Sequence, residues 1–136
     1  MAVAAGVDAI IYPKHGSASL TPYVEKASAG LTCVANMVEV ANLADTLERL
    51  KQHKIWWAGA GVVDDSEGDA SEYEKPLDYH SIDYTGPFGL VMGSEGSGIR
   101  PRVLKACDYH ITIPMSELVE SLNVSVATGV ILFEAY

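Results

Sequence analysis

The chain has 136 residues, 49% of them hydrophobic and 20% charged, with nine Lys and Arg against 18 Asp and Glu and a formal charge of −9. That length suits one domain with a real core, burying roughly two-thirds of its unfolded surface. The charge excludes a protein that grips nucleic acid by electrostatics alone, leaving RNA open as a substrate, and no apolar run approaches the ~20 residues of a membrane span.

"MAVAAGVDAIIYPKHG" has no basic stretch ahead of its apolar part, so no signal peptide is read and a cytoplasmic setting is expected. Cys33 and Cys107 lie far apart and read as two buried thiols. "VDAIIYP" (7–13) predicts a buried strand stopped by Pro13. "TPYVEKASAG" (21–30) predicts a short helix, with Thr21 as N-cap, Pro22 in the first turn and Gly30 at the exit. "LTCVAN" (31–36) predicts a second strand. In 42–54, Val40, Leu43, Ala44, Leu47 and Leu50 form one helical stripe, with Asn42 as N-cap and Asp45 three residues on. "IWWAGAGVV" (55–63) predicts a third strand, with Trp56–Trp57 presenting core on one side and contact surface on the other. "DDSEGDASEYEKPLD" (64–78) concentrates acid and reads as a solvated loop or flap. Strands follow at 88–93 and 109–114, with two helical turns at 101–107 between them. The apolar tail 123–136 suits a closing helix, weakened a little by Gly129. Apolar strands alternating with helices indicate an α/β domain: a parallel sheet with helices on both faces.

Ligands bind at the carboxyl ends of such strands, where the loops 93–100 and 114–123 both fall. Gly93, Gly96 and Gly98 can wrap a ligand closely, but G-x-x-G-x-G is neither the dinucleotide fingerprint nor the P-loop. Alone, this loop is a tight turn, Glu95 a solvated turn residue, and Ser121 or Asn123 a helix cap. "KHGSAS" (14–19), with Lys14, His15, Ser17 and Ser19, reads as a solvated loop that could touch RNA. The four histidines share no ligand-like spacing and no Cys-x-x-Cys occurs, so no metal is expected.

Together, "LVMGSEGSGI", "CDYHITIPM" and "VESLNVSVATGVILFE" resemble two of the three signature motifs of the SpoU-type RNA methyltransferases of the SPOUT superfamily. "AAGVDAIIYPKHGSASLTPYVEKASAGL" resembles the segment after the first motif, so the likeness runs through nearly the whole chain. The closest branch is the one that methylates guanosine in large-subunit ribosomal RNA. The resemblance implies a deep C-terminal trefoil knot, which no residue pattern could reveal. It also implies S-adenosylmethionine bound between the two loops, along Met92, Gly93, Gly96, Ile113, Met115, Leu122 and Asn123. Glu95, Ser121 and Asn123 match polar residues near the reacting ribose 2′-hydroxyl, in positioning roles. RNA is the implied partner, ribosomal or transfer, and a homodimer the implied assembly.

The first motif, a strand and helix ending in Asn and Arg with the Arg assigned to activate the hydroxyl, has no counterpart in residues 1–136. Arg49, Arg100 and Arg102 are the only arginines, and none has that context. The expectation is therefore a single SpoU-type catalytic domain over 1–136, N-terminally truncated and without an RNA-binding domain. Such a chain should hold the cofactor but transfer methyl weakly or not at all. The alternative is an inactive fragment or relic that binds S-adenosylmethionine or a partner subunit.

Overall fold

A computed structural model describes residues 1–14, 35–64 and 73–136. Its strands are β1 (Ile10–Pro13), β2 (Met37–Val40), β3 (Trp56–Ala60), β4 (Leu77–Asp78), β5 (Phe88–Met92) and β6 (Tyr109–Thr112). Its helices are α1 (Leu43–Lys51), α2 (Pro101–Ala106) and α3 (Val124–Ala135). β1 pairs with β2, and a four-stranded sheet runs in the order β4-β6-β3-β5. Every named pairing is parallel, as the continuous apolar runs require.

β3 is the central strand and sorts the core by alternation. Trp57 joins Val91, Ala44, Leu47 and Ala106 beneath α1 and α2, with Ile11 of β1 packed against this cluster. Ala58 and Ala60 join Ile111 and Ile131 beneath α3. Helices thus cover both faces. Gly89 of β5 lies under the Trp57 indole, where a methyl group would run into the ring. Trp56 stacks on Phe88 at 5.2 Å and meets Tyr84 and Tyr109, so its exposed side is an aromatic cluster within the fold.

Local chemistry sets the helix ends. Asn42 accepts from the Asp45 N–H at 3.0 Å, and Thr46 donates back to the Asn42 carbonyl at 2.7 Å. Lys54, in the left-handed region at φ 61°, turns the chain from α1 into β3. Pro101 opens α2. Asp108 ties α2 to the sheet: its carboxylate accepts from the Trp57 N–H at 2.7 Å and meets Lys51 at 3.5 Å. The Cys107 thiol donates to the Val103 carbonyl, and burial pushes its pKa up to about 12. α3 runs unbroken through Gly129, which is buried with the Met1 side chain against it.

Two expectations need correction. A strand lies at Met37–Val40, just past the expected 31–36, of which the described residues 35 and 36 are not strand. Asn36 instead donates its side-chain amide to the Asp8 carbonyl, and Ile10 pairs with Met37. The acidic segment is not loop throughout: Leu77–Asp78 pairs with Ile111–Thr112 at the sheet edge. The helix at 21–30, strand positions 31–34, Cys33, His15, Ser17, Ser19 and acidic residues 65–72 lie outside the described residues.

Candidate functional site

β5 ends at Met92, and the chain then makes a tight turn. Ser94 and Gly98 exchange backbone hydrogen bonds at 3.1 and 2.9 Å, closed further by a 2.7 Å bond between the Ser94 and Ser97 hydroxyls. Gly96 and Gly98 both take positive φ, 84° and 81°, which side chains resist. A methyl at Gly96 would meet open space, whereas at Gly98 it would strike the Val62 carbonyl. The turn is sewn to the end of β3: the Ile99 N–H donates to Val62, and the Asp64 N–H to Ile99, both at 2.8 Å.

The facing wall begins at β6, runs through Ile113 and Met115 and turns at 116–119, where the Val119 N–H reaches the Ser116 carbonyl at 3.0 Å. It returns through Ser121 and Leu122 to α3. Asn123 caps that helix, accepting from the Ser125 N–H at 2.9 Å. Its amide also faces the Glu95 carboxylate at 3.5 Å, a long contact that spans the two walls.

Between the walls lies a cleft of about 880 Å³. It is lined by all the residues named from sequence: Met92, Gly93, Glu95, Gly96, Ile113, Met115, Ser121, Leu122 and Asn123. Two loops 28 positions apart at Glu95 and Asn123 thus make one site. Met115 and Leu122 keep 40% and 37% of their surface exposed, an apolar lining suited to a flat heterocycle. Among the described lining residues, Glu74, Glu95 and Glu120 stand against one ammonium, Lys75, a balance that favours a cationic ligand.

Sequence reasoning missed the third side of the cleft, residues 61–63 and 73–76, and His110, whose Nε2 lies 2.8 Å from the Gly61 carbonyl. A lone His in the apolar stretch "YHITIP" was the available signal. Of the arginines, Arg102 pairs with Asp45 at 2.7 Å on the helical side, and Arg100 immediately precedes α2. Among the described residues no cluster could hold a metal ion, and no helix is long and apolar enough to cross a membrane.

Comparison with known proteins agrees with this layout. The sequence model of the SpoU rRNA methylase family matches residues 1–133. The chain is 46% identical over 132 residues to the 23S rRNA (guanosine-2′-O-)-methyltransferase RlmB of Pseudomonas putida, covering 97% of this chain and 49% of that protein. It therefore spans about half the length of the curated relatives it matches. The TrmH/SpoU tRNA modifying enzyme of A. aeolicus superposes with a TM-score of 0.79 at 29% identity, over 98% of this chain and 62% of the other. The SpoU methyltransferase AviRb of Streptomyces viridochromogenes, solved in complex with AdoMet, superposes with a TM-score of 0.79 at 27% identity, over 98% and 48%. A parallel α/β sheet, two loops converging on one cleft and a family match along nearly its whole length place this chain in the SpoU rRNA methylase family.

Proposed function

We propose that this chain is the catalytic domain of an S-adenosylmethionine-dependent methyltransferase acting on a ribose 2′-hydroxyl of RNA, with guanosine in 23S ribosomal RNA as the favoured target. The observation that carries this reading is the convergence of the glycine turn and the 113–123 segment on one part-apolar, acid-biased cleft. The AdoMet complex of AviRb and the activity named for the RlmB relative support it. In the same reading, 113–123 belongs to the threaded segment of a trefoil knot, and the setting is cytoplasmic.

Bound S-adenosylmethionine supplies a methyl group on a positively charged sulfur. Met92, Ile113, Met115 and Leu122 provide its apolar slot, and Gly93 and Gly96 let the backbone come close. Glu95, steadied by Asn123, and Ser121 orient the ribose and the RNA. Positioning of the ribose, by proximity and orientation, is what Glu95 contributes. The second reading, a binding relic, is the result if S-adenosylmethionine binds and no methyl is transferred.

Calorimetry with S-adenosylmethionine and its demethylated product tests the cofactor, and radiolabelled methyl transfer to ribosomal RNA tests the reaction. Asn123→Asp keeps the acceptor that caps α3 but replaces the donor facing Glu95 with a second carboxylate, which repels it. Its melting temperature should stay near wild type while kcat falls about tenfold or more. An unchanged kcat would remove the Glu95–Asn123 contact from the mechanism.

A further inference from the structure

His110 lies on the central part of the sheet, one strand from β3, and it lines the cleft. A backbone carbonyl only accepts, so the 2.8 Å contact with Gly61 puts the proton on Nε2. Nδ1 is shut off from solvent and has no hydrogen-bond partner among the described residues. The imidazole is therefore held by one bond, and that bond acts on the stretch that makes the cleft's third side. Beyond Ala60, the strand pairing of β3 with β6 has ended. On that side Gly61 meets the His110 side chain instead. On the other side Val62 and Asp64 are bonded to Ile99 of the glycine turn.

We propose that His110 is a positioning residue for the cleft: its Nε2–H latches the Gly61 carbonyl and so holds residues 61–64 and, through them, the glycine turn in the shape that receives the cofactor. The consequence for ligand binding rests on the cofactor reading above; the latch itself does not. A side chain serving only to fill space would be replaced by any apolar group of similar size. A latch needs a donor at the position of Nε2. The side-chain amide nitrogen of glutamine can occupy that position, whereas that of asparagine falls short of it.

The test is a set of three variants, His110→Leu, His110→Gln and His110→Asn, with two measurements. Amide hydrogen exchange at Ile99 and Asp64, whose N–H groups bond across the two segments, should quicken about tenfold in the Leu and Asn variants and stay near wild type in Gln. Calorimetric titration with S-adenosylmethionine should show the same order, with Kd about tenfold weaker for Leu and Asn and within about twofold of wild type for Gln. Equal exchange in all three variants overturns the latch. So does loss of protection in Gln as great as in Asn, a comparison that decides the matter even if the Leu variant does not fold. Altered exchange with unaltered Kd overturns its bearing on the ligand. A flat titration in the wild-type protein defeats the cofactor reading instead, and the exchange result still decides the latch.

Discussion

Glycine turns are often treated as uniform, yet the residues here carry different loads. Gly96 needs only its left-handed backbone, since nothing lies within 4 Å of an added methyl. Gly96→Ala should cost about 1 kcal/mol and leave the cleft intact. Gly98 has the same φ with the Val62 carbonyl against it, so Gly98→Ala must push residues 61–63 away. It should cost more, roughly 2–4 kcal/mol, and abolish S-adenosylmethionine binding. Urea denaturation with calorimetry separates the two, and equal losses would mean that the turn is not sewn to β3 as described. A second prediction concerns alkali. Burial, helped by Asp108, raises the Cys107 thiol from 9.0 to about 12. Burial, then Glu134, Tyr79 and Asp78, raises the Tyr84 phenol from 10.0 to about 12. Between those values the unfolded chain has released protons that the folded chain still holds, so stability falls as pH rises from about 9 to about 12. Well below pH 9, where both groups are protonated in the folded and the unfolded chain, neither contributes a slope. The same protection should make Cys107 slow to alkylate at neutral pH in the folded protein and fast in urea.

Elements that are buried on both sides were legible in the sequence, and those at the margins were not. β3, β5 and β6 announced themselves as apolar runs, and α1 by its stripe and its Asn42 cap. β2 was not read from the sequence because "MVEV" is half exposed, with Val38 at 43%, and carries little signal of its own. β4 is two residues long inside an acidic stretch, and only its partner Ile111 makes it a strand. The site was legible as residue types through its motifs, but the Glu95–Asn123 contact and the His110 bond depend on tertiary approach that no local pattern encodes. Packing of β5 on β3 offers a sharp check at this scale. Gly89→Ala drives a methyl into the Trp57 ring, in a cluster that already joins α1, α2 and the sheet. It should destabilise by about 2–3 kcal/mol, and Trp57 fluorescence should shift with it. A loss under about 0.5 kcal/mol would show that the indole has room to move.

At the scale of the molecule, α3 carries one patch of uncovered apolar surface among the described residues, with Val126, Val130 and Phe133 49%, 37% and 52% exposed. They recur at helical spacing on one side, and a surface of that kind suits a second copy of the chain. The family resemblance implies a homodimer, and on that expectation Phe133→Glu should shift sedimentation toward monomer without lowering the helix content; a wild-type monomer at all concentrations would overturn it. Long-range order of assembly follows from the way the sheet is wired. Trp57 meets Asp108 across 51 positions and Gly61 meets His110 across 49, so β3 must wait for β6 before its far edge is closed. Parallel pairings over such separations are slow to form, because loop entropy is lost before contacts compensate. A chain that has emerged only as far as residue 100 therefore has the glycine turn and the third side of the cleft but not the facing wall of 113–123. Ligand binding becomes a clock for folding: in a stopped-flow refolding run, its signal should arrive with the last phase and never ahead of it.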